Sequence, residues 1–250
     1  MPSQLISIIT VVRNDPEGLR RTLASVARHK GKRTGYLLVD GASTDDTLAV
    51  AEHQMDLIDR LVSEPDQGIY DAMNKGLAQA QGDYLLFLNA GDELLLNPEE
   101  LLAGVSDEPV MVYGKANMLH PDGSLSYIKG KRLKSRFRFL KGMPLCHQSV
   151  LYRRKTMIPF DTSYRIMADR VMTYLLLKRY GLHRSLFVDR IMVNYFEGGF
   201  SGSLPPEVWR AEEDRFYTEA GVSWYRYKKK LNSLFKDHIR LPLKRLLGRS

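Results

Sequence analysis

Residues 84–92 read YLLFLNAGD, an uncharged run Tyr84–Leu88 that passes into Asn89-Ala90-Gly91-Asp92. A short apolar run closed by turn-forming residues predicts a buried strand whose carboxyl end opens into a polar loop. Working back from it, Gly68–Gln81 has helical spacing, and Leu57–Val62, Tyr36–Val39 and Leu5–Val12 repeat the strand signal. Between these, Pro16 opens a helix that runs to His29, with Leu19, Leu23, Val26 and Ala27 on one stripe. Ser43 or Thr44 is placed to cap another helix, through about His53. Strands alternating with helices predict an α/β fold with a mostly parallel central sheet flanked by helices. Ligands of such sheets bind beyond the carboxyl ends of the strands. Three of those ends carry polar clusters: Thr10–Asp15, Asp40–Asp46 and Asn89–Asp92.

Working forward, the pattern changes near Val110. Val110–Tyr113 and Ser124–Ile128 flank the turn Pro121-Asp122-Gly123, which predicts antiparallel strands. Lys129–Lys141 is basic with interleaved aromatics, and His147–Arg153 reads as a strand. Ala168–Tyr180 is a helix with Gly181 as its C-terminal cap, Leu186–Phe196 is a last strand, and Gly198–Ser203 is a loop.

The 250 residues are 44% hydrophobic and 26% charged, which suits one substantial core. The single cysteine, Cys146, excludes an intramolecular disulfide framework. The start of the chain has no basic leader and no stretch of about 18 apolar residues occurs, so a cytoplasmic protein is expected. The net charge of +8 is unevenly spread. Residues 222–250 hold nine Lys/Arg against one acid, leaving 28 bases and 28 acids in residues 1–221. A neutral body with a basic end does not fit nucleic-acid binding. In the tail, Leu231, Leu234, Phe235, Ile239, Leu243, Leu246 and Leu247 recur at roughly helical spacing. Such a basic amphipathic segment is expected to meet an anionic membrane surface, making the protein peripheral on the inner face of the cytoplasmic membrane.

Read together, ISIITVVRND, LLVDGASTDDT, GIYDAMNKGLAQAQGDYLLFLNAGD and MADRVMTYLLLKRYG resemble glycosyltransferase family 2, in order and over most of residues 4–201. FLNAGD with CHQSVLYR is similar to bacterial members that build exopolysaccharides such as colanic acid or O-antigen. The resemblance implies a GT-A fold over residues 1–221, with 1–93 as the nucleotide-binding half and 94–203 as the acceptor half, followed by the helical tail. It also implies an inverting, metal-dependent transfer from a UDP- or GDP-sugar to a hydroxyl of a lipid-linked saccharide, with Mg²⁺ or Mn²⁺ as cofactor.

By resemblance, Asp40 accepts a hydrogen bond from the nucleotide base, and Thr10, Val12 and Asn14 line the base pocket. On its own Asp40 would serve equally well as a turn aspartate. Asp66, Asn74 and Lys75 are donor-side residues by the same comparison, although Asn74 and Lys75 also suit an exposed helix face. Asp92 is the metal ligand; a hard divalent cation neutralises the leaving diphosphate. The family's Asp-x-Asp-Asp is here Asn89-Ala90-Gly91-Asp92, so Asn89 stands at the first acidic position and can contact ribose or a metal-bound water. Asp169 matches the second acid of the family's Glu-Asp pair and is the expected base, with Ala168 in the first place. As an acid in a first helical turn it would also complement the helix dipole. His147 and Gln148 are expected on the acceptor side. The loop after the last strand lacks the family's histidine and offers Ser201 to phosphate instead.

No Gly-x-Gly-x-x-Gly and no Gly-Lys-Ser/Thr occurs, which excludes the usual dinucleotide and P-loop patterns. Two rivals stay open at this level: a nucleotidyltransferase on a similar sheet, and a non-catalytic nucleotide-binding or assembly subunit.

Overall fold

The computed structural model describes residues 4–105, 108–199 and 204–225. The chain divides into two compact units, Met1–Ser203 and Leu204–Ser250.

The first unit is built on a nine-stranded sheet. Its leading strands are β1 (Ile6–Val12), β2 (Thr34–Asp40), β3 (Arg60–Ser63) and β4 (Tyr84–Phe87). β5 (Glu93–Leu94), β6 (Met111–Leu119), β7 (Leu125–Lys129), β8 (Val150–Arg153) and β9 (Ser185–Phe196) complete it. The order is β3-β2-β1-β4-β8-β6-β9-β5, and among the described residues β7 pairs with β6 alone. β1 pairs in parallel with β2 and β4, and β2 in parallel with β3. Parallel pairing is also found between β6 and β9, whereas β4–β8, β6–β8, β6–β7 and β5–β9 are antiparallel. The parallel character expected of the sheet is thus complete in its first four strands, and the second half is mixed.

All seven residues of β1 and of β2 are buried, as central parallel strands require. Helix α1 (Pro16–His29) starts at the cap Asp15, whose side chain accepts from Gly18 N, and carries Pro16 in its first turn. Its buried stripe, Leu19, Leu23 and Val26, joins the core of Ile6, Ile8, Tyr36, Leu38 and Leu86. Burying such side chains contributes about 1.5–3 kcal/mol each. Helix α2 (Thr47–Glu52) is shorter than expected and is not capped by Ser43 or Thr44. Asp46 is its cap residue, and the Ser43 hydroxyl is drawn instead to Asp40. Helices α3 (Ile69–Gln79) and α4 (Ala168–Tyr180) follow the expected spans, the latter ending at Gly181. The strand expected over His147–Arg153 begins only at Val150, after a single 3-10 turn at His147–Ser149.

In the second unit, helix α5 (Pro206–Glu219) has Pro206 in its first turn and an Arg215–Glu219 ion pair one turn apart. Tyr217 and Tyr225 meet edge to face at 5.4 Å. Ser201 and the apolar and basic repeat of 226–250 lie outside the described residues. Among the described residues, no helix is long and apolar enough to cross a membrane.

Candidate active site

β1, β2 and β4 end at one edge of the sheet, and their loops are laced together there. Asn14 adopts a left-handed φ of 51° and Ala42 one of 54°. The Asn14 amide accepts from Thr44 N at 2.9 Å, and Asn14 N donates to the Ser43 hydroxyl at 2.8 Å. Non-glycine residues held at positive φ cost about 1–3 kcal/mol and persist where surroundings over-determine them. After β4 the ladder continues, with Leu88 N on Ile9 O and Ala90 N on Val11 O. Gly91, at φ +95°, then turns the chain so that Asp92 N returns to Asn89 O at 3.1 Å. Thr22 of α1 holds this turn: its hydroxyl donates to Asp92 O at 2.7 Å and accepts from Gly91 N at 3.0 Å.

Asp40 is 1% exposed. Its carboxylate accepts from Ser43 N, from the Ser43 hydroxyl, and from the Ser63 hydroxyl at 2.7 Å. The sequence reading puts this carboxyl against a nucleotide base; in the structure it is closed by its own loop, which it shapes from beneath. Thr10 departs further from expectation. It is fully buried, donates to Leu88 O at 2.7 Å and accepts from the Tyr36 hydroxyl at 3.0 Å, so it ties β1 to its neighbours inside the core. Val12 ends β1 beside Asp40, in register across the strand pair. Asp66 accepts from Gly68 N, and a Cβ on Gly41 would lie 2.1 Å from its other oxygen, so only glycine allows that approach.

Two further donor-side expectations meet side chains that are already engaged. Asn74 clasps the backbone of Phe160 from both sides, donating to its carbonyl and accepting from its N–H, each at 2.8 Å. Lys75 donates to Pro65 O and pairs with Glu64 at 3.1 Å and Asp71 at 3.6 Å, bracing the loop before α3.

Asp92 is 4% exposed and accepts from Phe196 N at 3.1 Å. Burial pushes its carboxyl up to about 8, against the opposing pull of the Phe196 N–H, the Gln148 side chain and Arg21. Arg21 also stacks on Phe196 at 4.2 Å and donates to Gly91 O at 3.2 Å. The Asn89 side-chain oxygen is buried and has no hydrogen-bond partner among the described residues. One carboxylate short of compensating charge and one unsatisfied amide oxygen are hard donors, which suit Mg²⁺ or Mn²⁺. Among the described residues no cluster of three or more His, Cys, Asp or Glu could hold a metal ion. This donor set therefore fits a cation whose remaining ligands are phosphate oxygens and water, as hard cations at diphosphates commonly take.

Asp169 stands at the second position of α4 and accepts from the Tyr70 hydroxyl of α3 at 3.0 Å. Between Asp92 and Asp169 runs Cys146-His147-Gln148, all buried. The Cys146 thiol donates to the Gln148 carbonyl oxygen at 3.2 Å, which turns the amide nitrogen to Asp92. His147 stacks on Phe87 at 5.4 Å and meets the Tyr152 hydroxyl through Nδ1 at 3.3 Å. Burial holds the imidazole below its usual range, opposed by the nearby charge of Asp169. His147 and Gln148, expected at the acceptor, are both buried, Gln148 bonded to Asp92 and His147 within the electrostatic influence of Asp169. Sequence reasoning missed Tyr70, Arg21 and Thr22; Arg21 and Thr22 lie on a helix face with no motif around them, and Tyr70, though inside GIYDAMNKG, carries no signal that sets it apart from a core aromatic.

A family model described as glycosyl transferase family 2 matches residues 7–170. The chain is 35% identical over 179 residues to a PGL/p-HBAD biosynthesis glycosyltransferase of Mycobacterium bovis, covering 68% of each protein. Among solved structures it is similar to Staphylococcus aureus TarS 1-349 in complex with UDP, at TM-score 0.65 and 18% identity, over 94% of this chain and 72% of that one. It is also similar to glucosyl-3-phosphoglycerate synthase of Mycobacterium tuberculosis in complex with Mn²⁺, UDP and glucosyl-3-phosphoglycerate, at TM-score 0.60 and 17% identity, over 88% and 81%.

Proposed function

The chain belongs to glycosyltransferase family 2, and we propose that it is an inverting, metal-dependent member that moves a sugar from a nucleoside-diphosphate sugar to a hydroxyl of a lipid-linked saccharide in bacterial polysaccharide synthesis. One observation supports this reading: within the buried segment Cys146-His147-Gln148, Gln148 hydrogen-bonds Asp92 and His147 feels the charge of Asp169. On this reading Asp92 is the acid that serves the leaving diphosphate and Asp169 the acid that serves the incoming hydroxyl.

The donor half is residues 1–93 and the acceptor half 94–203. The base is received by Val12, Asn14 and the Ser43–Thr44 loop, which Asp40 holds in shape, with Asp66 beside Gly41. UDP in the complexes of two similar folds supports a uridine nucleotide ahead of guanosine. Asp92 and Asn89 would hold Mg²⁺ or Mn²⁺, which when bound supplies positive charge against the diphosphate.

Asp169 removes the acceptor proton. As that proton passes to its carboxylate, the acceptor oxygen bonds to the anomeric carbon from the face opposite the leaving group. The bond from that carbon to the diphosphate oxygen breaks, and its electron pair leaves with the nucleoside diphosphate. Tyr70 orients the base by donating to Oδ1, which leaves Oδ2 to take the proton. The working place is the inner face of the cytoplasmic membrane, a reading supported by the basic sequence of 222–250.

Asp169→Asn tests the assignment. The variant should bind UDP with Mn²⁺ as the parent does, by calorimetry, while transfer falls by roughly 10²–10⁴. Turnover close to the parent's removes Asp169 as base, and UDP binding indifferent to Mn²⁺ in the parent removes the metal.

A further inference from the structure

The described chain leaves seven large hydrophobic side chains exposed, and four of them, Leu125, Tyr127, Ile128 and Phe137, fall within thirteen residues. Leu125, Tyr127 and Ile128 belong to β7, a strand bonded to β6 on one side only and exposed along nearly its whole length. From Ser124 to Gly142 there is no acidic residue, and there are seven bases: Lys129, Lys131, Arg132, Lys134, Arg136, Arg138 and Lys141. Among the described residues none of the seven forms an ion pair; other cations of the first unit, including Lys30, Lys75, Lys115, Arg153 and Arg190, do.

The arrangement has no internal explanation. Cations kept without acids, when acids are as numerous as bases in residues 1–221, are not needed for solubility. Exposed apolar residues gathered in one patch mark a contact surface. Leu133, Phe139 and Leu140 of the segment are buried, so it is anchored to the body, while Lys131, Arg132, Lys134, Arg138 and Lys141 are exposed.

We propose that the β7 strand and the 129–141 segment form a membrane-contact surface of the folded body, with the apolar side chains entering the headgroup layer of an anionic bilayer and the five exposed cations, Lys131, Arg132, Lys134, Arg138 and Lys141, meeting its lipid phosphates. Charge complementarity selects the lipid surface: an acidic protein would satisfy the cations but would not need Leu125, Ile128 and Phe137 to enter an apolar layer. The surface is built from residues other than 222–250, and the inference does not rest on the identity of donor, acceptor or metal.

Vesicle sedimentation of the full chain tests it, using phosphatidylcholine alone and equimolar phosphatidylcholine and phosphatidylglycerol. The parent should partition to the anionic vesicles and be released by salt. The quadruple variant Lys131→Gln, Lys134→Gln, Arg138→Gln, Lys141→Gln should partition about tenfold less or weaker still. Leu125→Ser with Phe137→Ser should also bind less, at unchanged thermal midpoint. A second measurement avoids multiple substitutions. Ser126→Cys, labelled with an environment-sensitive dye while Cys146 stays buried, should shift to the blue on anionic vesicles only. Parental partition of both variants, an unshifted dye, or full competition by free pyrophosphate at constant ionic strength would overturn the proposal, the last by assigning the cations to a soluble phosphate.

Discussion

Asp92 sits where a carboxylate is least comfortable, 4% exposed and raised to about 8 by burial. In the metal-free protein at neutral pH it therefore holds its proton, and a cation that takes the site must expel it. Below about pH 8 each bound ion releases a proton, so the apparent Mn²⁺ affinity, measured by calorimetry with UDP, should rise about tenfold per pH unit and level off above pH 8. An affinity flat from pH 6 to 8 would mean that Asp92 is already ionised or is no ligand. Residue identity was legible in sequence here, and residue role less so. The position of Asp92 after a buried strand follows from pattern, but the turning of Gln148 toward it depends on Cys146 two residues away. Thr10 and Asp40 show what sequence leaves out: both are polar residues toward a strand's carboxyl end, and both also bond neighbouring strands and loops. Sequence cannot separate a hydroxyl that faces a cleft from one that faces a neighbouring strand.

At the scale of elements, the site depends on a clasp between α3 and the loop before α4. Asn74 fixes Phe160, whose ring lies 5.5 Å from Tyr70, 5.2 Å from Phe87 and 5.7 Å from His147. Asn74→Ala leaves two backbone groups unpaired and should cost about 2 kcal/mol in denaturant unfolding. UDP affinity should be unchanged; a drop in UDP affinity at parental stability would restore the donor contact that the sequence suggested. The long helices α1, α3 and α4 were legible because their apolar stripes and caps lie within the elements themselves. α2 was less so: its start is decided by the partner of the Ser43 hydroxyl, Asp40, which belongs to the preceding strand's end. The turn at His147–Ser149 was hidden for a similar reason: its apolar neighbours suit a strand, and the Ser149 hydroxyl, bonded to Cys146 O, reinforces the backbone bond from Ser149 N to the same carbonyl.

Over the whole molecule, the four parallel strands and the mixed strands that follow differ in how their hydrogen bonds are protected. β1 is flanked on both sides and wholly buried, whereas β7 has one partner and is exposed. Amide exchange should therefore be slowest in β1, β2 and β4 and fastest in β7, with the two classes separated by several orders of magnitude. Comparable protection in β7 would mean that something covers it. The first four strands were legible because each closes locally through a crossover helix. The parallel β6–β9 pairing was not, because it joins segments separated by about seventy residues of sequence and is fixed by packing alone.

The one-sided pairing of β7 has a colloidal consequence. An unsatisfied strand rim is a template onto which a second copy can zip, and like charge is the ordinary safeguard against that. Here the safeguard is the adjoining run of lysines and arginines, and it works only while their repulsion reaches across the gap between molecules. Screening shortens that reach to about 3 Å at 1 M salt. Concentrated stocks are then better kept dilute in electrolyte, contrary to usual practice for basic proteins.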